Sequence, residues 1–466
     1  MRRLRGSFVA LMLLGWAAGL NAEVLVRWEQ DDVPPVRTLG VTSLVVPAAN
    51  GAAIRSALAG GYRVFLEVEA ARLAGFVPSA HIAGIVVKGG APAGQLRALR
   101  ARLKERGGRV SVLQEGARWP HIRSNWVTKN NEVLQVSGRT AQPWIENNAA
   151  LLRIARAAVP ETTPLLSYAW QPITAAELDA GPQLENYLVA IAEAGSFGGD
   201  LVLPLHETLQ KGLLLGRPAA RAAWEEIRRH VDFYRWNLPA RYEPVANIGV
   251  IATDPMPSYE LLNLLSRHNL AFTMLDPGQL AAADLAPFDL VIALDTPEGP
   301  QVDLFAAFAQ NGGVVLLDRP QPASFPWRRG SRVVDTDRRV GYSVGEGRVV
   351  EAPNGFGDPN AFALEVRQLL GPGRRPVDIW NGITVLAASY QEPGGANLLL
   401  TAVNYAHQPL PVQLRVRGIF SQVQYESPED AMARLPFEHR DGCTEFLIPA
   451  LRVGGRVFLS RDAPSR

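Results

Sequence analysis

The stretch from residue 111 to residue 126 carries a crowded set of reactive side chains. It reads SVLQEGARWPHIRSNW: an apolar start, then an acid, two indoles, an imidazole, two guanidiniums and an amide within a dozen positions. Acids and imidazoles transfer protons, and indoles pack against apolar ring faces. The segment is therefore a candidate catalytic loop or sugar-binding surface. A connection that merely carries many polar residues is the alternative.

Further reactive residues follow apolar runs elsewhere in the first half of the chain. They are Glu29, Asp31, Glu67, Glu69, Lys88, Gln114, Glu115, Trp170, Gln171, His206 and Glu207. Cleaving a glycosidic bond requires two carboxyl groups, about 5 Å apart for retention or about 6.5–9.5 Å for inversion. We expect Glu115 and Glu207 to be the catalytic pair, because each follows an apolar run and has aromatic or imidazole neighbours that can raise a carboxyl pKa. The alternative is that these acids form ion pairs with arginines.

Indole and polar side chains near the same positions suggest a binding surface. Trp119, Trp126, Trp144 and Trp170 are suited to stack on pyranose faces, and Arg118, Arg123, Asn125 and Asn147 to bond hydroxyls or a carboxylated sugar. The residues expected to bind substrate are Glu29, Glu67, Trp119, Asn125, Trp126, Trp170 and His206. Core packing is the alternative for each tryptophan taken alone.

Several other chemistries find no motif in the sequence. No GxGxxG or GxxxxGK[ST] fingerprint follows a predicted strand, and the seven histidines include no HExxH pair. We therefore expect no cofactor and no metal, and a metal site would require residues brought together only by folding. The single cysteine, Cys443, excludes an intrachain disulfide. The net charge of +2 over 466 residues gives no basic field for nucleic acid.

The N-terminus has the pattern of a secretory signal. Basic residues at 2–5 precede an apolar run at 8–20, and Ala22 ends the segment on a small residue. We expect residues 1–22 to be removed and the mature chain to be periplasmic or extracellular, with an uncleaved anchor as the alternative. No later segment is long and apolar enough to span a bilayer.

The elements that position the reactive residues follow a regular rhythm. Apolar runs predict strands at 24–28, 43–46, 64–68, 82–87, 110–113, 133–136, 165–168 and 201–205, with helical patterns between many of them. Eight strands alternating with helices predict a (β/α)8 TIM-like barrel over residues 23–238, closed by a helix at 218–236. The reactive residues would then lie at the carboxyl ends of its strands.

Two further domains are expected after the barrel. Strands at 248–252, 271–275, 290–294 and 314–317, helices at 258–268 and 302–310, and a hairpin at 340–350 predict an open α/β domain over 245–371. Period-two runs at 383–389, 397–404, 412–416, 444–448 and 456–460 predict a small antiparallel β-sandwich over 376–461.

This order of domains resembles the family 42 β-galactosidases, in which a catalytic barrel precedes an amidotransferase-like α/β domain and a small sandwich. The resemblance rests on FDLVIA at 288–293, FAAFAQNGGVVLL at 305–317, VNY at 403–405 and IPAL at 448–451. It implies a glycoside hydrolase that binds an oligo- or polysaccharide. We also expect homo-oligomer contacts through the middle domain. The Cys443 thiol lies in the last domain, so the amidotransferase-like domain has no cysteine nucleophile.

The sequence departs from that family at the catalytic positions. The family carries an Asn-Glu acid/base after its fourth strand and a Glu nucleophile after its seventh, where this chain has VKGG at 87–90 and SYAWQ at 167–171. No catalytic residue can be transferred by motif. A degenerate barrel that binds glycan without cleaving it, or that organises an envelope polysaccharide assembly, is therefore the main alternative. A purely structural envelope protein is a third.

Overall fold

The protein is described from a computed structural model that covers residues 23–77, 81–123, 126–130, 133–137, 144–172, 174–235, 242–320 and 325–461. The predicted signal sequence at 1–22 lies outside the described residues. Within the described ranges, no helix has both the length and the hydropathy needed to cross a membrane.

The first half of the chain folds around a parallel sheet with helices on its outside. Its strands are β1 (Val24–Arg27), β2 (Ser43–Pro47), β3 (Arg63–Glu69), β4 (Gly84–Lys88), β5 (Arg109–Val112), β6 (Ile122–Arg123), β7 (Trp126–Asn130), β8 (Val133–Ser137), β9 (Trp144–Ile145), β10 (Leu165–Ser167) and β11 (Asp200–Pro204). Its helices are α1 (Val36–Leu39), α2 (Gly51–Ala59), α3 (Ala93–Lys104), α4 (Ala149–Ala158), α5 (Ala175–Ala180), α6 (Leu184–Ser196), α7 (Glu207–Leu214) and α8 (Pro218–Tyr234), with a 3₁₀ helix at Ala70–Gly75.

Among the described residues, seven parallel strands form a nearly closed barrel. Their order is β10-β11-β1-β2-β3-β4-β5. The outer strands β5 and β10 meet just beyond the end of β5, where Leu113 forms a parallel bridge with Leu165 and the Gln114 amide donates to the Leu165 carbonyl at 2.8 Å. Side chains from the strands fill the interior with one buried apolar layer: Leu25, Val45, Phe65, Val86, Leu113, Leu165 and Val202. The barrel is thus a packed core, and ligand chemistry is confined to its ends.

The prediction of 133–136 as the sixth barrel strand is wrong. This segment belongs to β8, which pairs antiparallel with β7 in a two-stranded sheet outside the barrel. Only residues 131 and 132 separate the two strands. A parallel pairing needs a crossover of about a dozen residues, whereas two residues suffice for a hairpin. The other seven predicted barrel strands are confirmed.

The middle of the chain forms an open α/β layer, as predicted. Its strands are β13 (Ile248–Ile251), β14 (Phe272–Leu275), β15 (Leu290–Ala293), β16 (Val314–Asp318), β17 (Arg332–Asp335), β18 (Val340–Val344) and β19 (Gly347–Ala352), after a short β12 (Glu243–Pro244) that pairs elsewhere. The helices are α9 (Tyr259–Arg267), α10 (Ala282–Leu285), α11 (Pro300–Gln310) and α12 (Pro359–Arg374), with 3₁₀ helices at Met256–Ser258 and Pro326–Arg329. The sheet order is β14-β13-β15-β16-β19-β18-β17, in which the predicted hairpin is β18 and β19.

The C-terminal part is antiparallel, as the period-two pattern predicts. Its strands are β20 (Val377–Ile379), β21 (Val385–Gln391), β22 (Asn397–Asn404), β23 (Leu410–Arg417), β24 (Gln422–Glu426), β25 (Ala433–Arg434), β26 (Phe437–Arg440), β27 (Cys443–Leu451) and β28 (Gly454–Ser460). They form two sheets, β12-β21-β22-β28-β24-β25 and β20-β23-β27-β26. Apolar side chains of both sheets, such as Leu400 and Leu414, share one buried cluster.

The sandwich packs directly on the barrel through helix α6. The buried Glu193 of α6 accepts hydrogen bonds from the Tyr168 hydroxyl at 2.8 Å and from the Tyr405 hydroxyl of the sandwich at 2.7 Å. The backbone and side-chain amides of Asn148 donate to the same carboxyl group at 2.9 and 2.7 Å. Nearby, the Tyr390 hydroxyl donates to the Ser196 carbonyl at 2.7 Å. One buried carboxyl group therefore joins the barrel wall, the start of α4 and the sandwich.

Removing the Tyr405 hydroxyl tests this junction. We expect Tyr405→Phe to lower the free energy of unfolding by about 1.5–3 kcal/mol, because a buried acidic acceptor loses one donor. Tyr390→Phe is the matched control, since it removes a buried bond to a neutral carbonyl, worth about 0.5–1.5 kcal/mol. Urea unfolding of the two variants gives the comparison. If Tyr405→Phe lowers the free energy of unfolding no more than Tyr390→Phe does, the hydrogen bond to Glu193 is not the stronger of the two and the prediction is wrong.

Candidate functional site

The carboxyl ends of the barrel strands bring two of the predicted substrate-binding acids together. Glu67 of β3 is buried and accepts two hydrogen bonds from Arg27, the last residue of β1, at 2.8 Å to Nε and 2.9 Å to the terminal nitrogen. The same guanidinium is paired with Glu29, which is 43% exposed. We call Arg27, Glu29 and Glu67 the mouth triad. Glu29 and Glu67 are thus brought close to each other by a single guanidinium at the barrel mouth.

The loop that carries Glu29 is held by buried polar contacts. The Gln210 side chain of α7, which is fully buried, accepts from the Glu29 amide at 2.9 Å and donates to the Leu205 carbonyl at 2.7 Å. Asn50, at the start of α2, donates to the Glu29 carbonyl at 3.0 Å. The backbone at Glu29 is thus fixed from two neighbouring elements, whereas its carboxylate reaches solvent.

The predicted catalytic pair, Glu115 and Glu207, is not joined by a shared partner among the described contacts. Glu207 begins α7, is exposed, and binds Lys211 one turn later at 2.7 Å. The hydrogen bond from Lys211 and its charge lower the pKa of Glu207. Glu115 is exposed in the turn after β5. No hydrogen bond or ion pair joins these two acids among the described contacts, and the Glu115–Glu207 pair stays a prediction.

The number of barrel strands changes the relation between these acids. In an eight-stranded barrel Glu115 is expected to face Glu207 across the mouth. In the observed order only β10 lies between β5 and β11, which precede the two residues. Neighbouring strands are about 4.8 Å apart, so β5 and β11 are separated by roughly 10 Å on one side of the barrel.

Aromatic side chains pack beside the mouth around Trp119. Trp119 is only 3% exposed, and its ring lies 5.2 Å from that of Tyr168, 5.3 Å from Tyr187 and 6.4 Å from Trp170. We call these four residues the aromatic cluster. Trp119 is therefore a packing residue at the base of the cluster and not an open platform, whereas Trp170 is partly exposed.

Two buried donors in the aromatic cluster and one on the neighbouring segment have no hydrogen-bond partner among the described residues. They are the indole N–H groups of Trp119 and Trp170 and the side-chain amide of Asn147. Asn147 precedes Asn148, whose side chain bonds both backbone groups of Arg118 and so keeps the two segments together. An unpaired buried donor costs about 1–3 kcal/mol. Such groups are therefore candidates to bind an oxygen-rich ligand or water.

The remaining predicted residues have different surroundings. His206 caps α7, with Nδ1 accepting from the Thr208 amide at 3.3 Å and Nε2 lying 3.1 Å from the Leu178 carbonyl. With Tyr187 it lines a cavity of about 280 Å³ whose walls include Leu184, Leu209 and Ile227. Asn125 lies outside the described residues, and Trp126 is described only as the first residue of β7.

Two important residues are not predicted from the sequence. Arg27 is an arginine at the end of an apolar strand, at a position that faces the barrel interior, and this is the sequence feature that could have indicated an ion pair in the mouth. Glu193 is an acid within the otherwise apolar segment VAIAEAG of α6, which indicates a buried carboxyl group. Burial raises the pKa of Glu193, while its bonds from Asn148 and Tyr405 lower it. Burial is the larger effect, so the pKa of Glu193 is raised overall. Its contacts with Asn148, Tyr168 and Tyr405 give Glu193 a structural role.

The arrangement at the mouth can bind a polyol and can transfer protons. The mouth triad provides charged groups that can bond hydroxyls or exchange protons. The aromatic cluster provides ring faces, and its two indole N–H groups are donors without a partner among the described residues. Among the described residues, the acids and imidazole with metal-ligand spacing lie elsewhere, between α8 and the sandwich.

Breaking the mouth triad at Arg27 tests whether it is a structural element. We expect Arg27→Met to lower the free energy of unfolding by about 3 kcal/mol, because it leaves the buried Glu67 carboxylate unpaired. Lys88→Met is the control, since Lys88 pairs with Glu69 at the exposed rim at 3.5 Å and is expected to contribute about 0–1 kcal/mol. Urea denaturation at neutral pH measures both. Equal losses would show that Glu67 does not depend on Arg27.

Comparison with known proteins relates the fold to carbohydrate enzymes. No protein-family model and no curated protein matches the sequence. Among solved structures, α-L-fucosidase isoenzyme 2 from Paenibacillus thiaminolyticus is similar, with 11% identity over 96% of this chain and 100% of that chain, and a TM-score of 0.56. A GH42 β-galactosidase from G. stearothermophilus has 9% identity over 88% of this chain and 66% of that chain, with a TM-score of 0.43. An exo-β-1,4-mannosidase from Opitutaceae bacterium strain TAV5 has 11% identity over 75% of this chain and 94% of that chain, with a TM-score of 0.43.

The structural neighbours are thus glycoside hydrolases, and at such identities the likeness concerns the fold alone. The TIM-like barrel followed by α/β and antiparallel parts is confirmed.

Proposed function

We propose that this chain is an exported, carbohydrate-active protein, and specifically a glycoside hydrolase whose site is the carboxyl end of the barrel. The observation that carries the proposal is that the mouth triad and an indole-bearing cluster both lie at the carboxyl end of the barrel, the end at which barrel enzymes bind and convert their substrates. Sugars combine apolar ring faces with many hydroxyl groups, so they match both halves of this surface. The ligand is accordingly an oligo- or polysaccharide.

The proposed reaction adds water across a glycosidic C–O bond. One carboxyl group protonates the leaving oxygen, and a second, ionised carboxylate attacks the anomeric carbon or activates the water. Glu29 and Glu67 are the preferred pair because they meet at Arg27: Glu67, which receives two hydrogen bonds from Arg27, takes the ionised role, and the more exposed Glu29 takes the acid role once it leaves the guanidinium. In the alternative pair, Glu207 suits only the ionised role because its pKa is lowered by Lys211. Glu115 would then be the acid.

An activity screen with matched variants tests this proposal. The mature chain is incubated with oligosaccharides and aryl glycosides, and release of reducing sugar or of the aryl group is measured. For any substrate that is cleaved, we expect Glu29→Gln or Glu67→Gln to reduce kcat by about 10²- to 10⁴-fold, the usual contribution of a proton-transferring group. Glu69→Gln is the control, because Glu69 lies on the same strand but is exposed and paired with Lys88.

The same assay separates the two carboxylate pairs. A large loss in Glu115→Gln and Glu207→Gln, with activity kept in the mouth-triad variants, would assign catalysis to the Glu115–Glu207 pair. Full activity in all four variants would overturn the proposal that rim carboxylates catalyse the reaction. Circular dichroism of each variant checks that the fold is kept.

Glycan binding without cleavage is the second candidate function, and one observation favours it. Arg27 occupies both oxygens of Glu67, and the strand ends at Lys88 and Trp170 carry no carboxylate. A glycan array identifies ligands in this case. Binding that is lost in Trp170→Ala, with no bond cleavage in the wild-type chain, would support this function over hydrolysis.

Export is proposed on the signal pattern at 1–22, and the contacts of Glu23 show what cleavage after Ala22 would change. The Glu23 amide donates to Asp200 at 2.8 Å, and burial raises the pKa of Asp200 to about 7 while Glu23 remains in peptide linkage. Cleavage after Ala22 would turn this amide into an ammonium group and favour the ionised Asp200 carboxylate.

N-terminal sequencing of the secreted chain tests the export proposal. We expect Glu23 as the first residue, because the signal pattern ends on the small residue Ala22. We also expect a chain that retains Ala22 to be less stable at pH 7, where it lacks the ammonium–carboxylate pair. Retention of residues 1–22 in a membrane fraction would contradict cleavage and favour the uncleaved anchor.

A further inference from the structure

Three groups of metal-ligand type meet between the last barrel helix and the sandwich. Glu226 and His230 are four residues apart on α8 and therefore share a face, and Glu429 comes from the loop between β24 and β25. One ligand atom from each residue lies within 4.8 Å of the others. The grouping is a product of folding, because Glu429 is 199 residues from His230 in the chain.

The orientation of the His230 ring supports a role as ligand. His230 is fully buried, and its Nδ1 lies 3.1 Å from the Glu226 carbonyl oxygen, to which it donates. This bond fixes the tautomer and leaves Nε2 with a lone pair. In the part of the chain that the structure describes, Nε2 has no hydrogen-bond partner, and it lies 3.5 Å from Oε1 of Glu429. Metal-binding histidines regularly donate their other ring N–H to a carbonyl or carboxylate in this manner.

The alternative is an imidazolium ion paired with Glu429. Two arginines already face the carboxylates: Arg452 bonds Glu226 at 2.7 Å and Glu429 at 3.4 Å, and Arg229 bonds Glu226 at 3.0 Å. The imidazole is thus not required as a counter-ion. Arg452 and Arg229 are 40% and 51% exposed, so each can turn toward water when an ion takes the carboxylate oxygens.

We propose that Glu226, His230 and Glu429 bind one divalent transition-metal ion of zinc type, which joins α8 of the barrel to the sandwich. Zn²⁺ takes imidazole nitrogen and carboxylate oxygen at about 2.0–2.1 Å in tetrahedral geometry, which separates neighbouring ligands by roughly 3.4 Å. The 3.5 Å between His230 Nε2 and Glu429 Oε1 matches this separation. Ca²⁺ requires about six to eight oxygen ligands, so three residues that include a nitrogen discriminate against it.

Direct metal binding tests the proposal independently of any glycosidase activity. The mature chain is freed of metal by chelation and titrated with ZnCl₂ in a calorimeter, with CaCl₂ as the comparison ion. We expect one equivalent of Zn²⁺ to bind, no saturable binding of Ca²⁺, and a rise in Tm on adding Zn²⁺. His230→Gln, which keeps a polar side chain of similar reach, and Glu429→Gln should each weaken binding by about 10- to 100-fold or more.

His268→Gln is the control variant, because His268 is a buried histidine that bonds Asn360 in the middle domain. It should leave Zn²⁺ binding unchanged. Absence of one-equivalent binding in the wild-type chain, or binding that survives both His230→Gln and Glu429→Gln, would overturn the proposal. If His230→Gln fails to fold, Glu429→Gln decides the outcome, since Glu429 lies in a surface loop.

Discussion

The structure depends on one buried carboxyl group at the place where barrel and sandwich meet. Glu193 is fully buried and receives four donors: two from Asn148, one from Tyr168 and one from Tyr405. A buried acid without partners is very costly, so these segments cannot separate without exposing or stranding it. The carboxyl group therefore couples the docking of the sandwich to the position of the loops above β5 and β10.

This coupling extends to the candidate site. Asn148 holds the backbone of Arg118, beside Trp119, and Tyr168 packs its ring against the same indole. The aromatic cluster is thus supported from below by the Glu193 network, whereas the mouth triad is supported by Gln210 and Asn50. Separate supports keep the two halves of the mouth independent, so a change in one half need not disturb the other.

Much of the fold could be predicted from sequence because it follows from hydrophobic periodicity. Apolar runs located seven barrel strands, the open α/β layer and the main strands of the sandwich. The error at 133–136 arose because an alternating apolar segment has the same pattern in a barrel and in a hairpin. The partner strand, Trp126–Asn130, was not predicted, so the two-residue connection that requires a hairpin could not be recognised. The strands β24 and β26 were also missed, since short half-exposed strands give weak signals.

The sequence alone determined the types of group that the mouth contains, since residues at the ends of predicted strands lie at one end of a barrel. It could not determine which of them meet, because side-chain contacts depend on strand number, inward alternation and long-range pairing. Arg27 binds Glu67 across β2 and also binds Glu29, two residues further along the chain, whereas Lys211 binds Glu207 by helical spacing. The grouping of Glu226, His230 and Glu429 likewise exists only after the sandwich docks. The Arg27–Glu67 pair and the grouping at Glu429 are tertiary, because each depends on a partner distant in sequence.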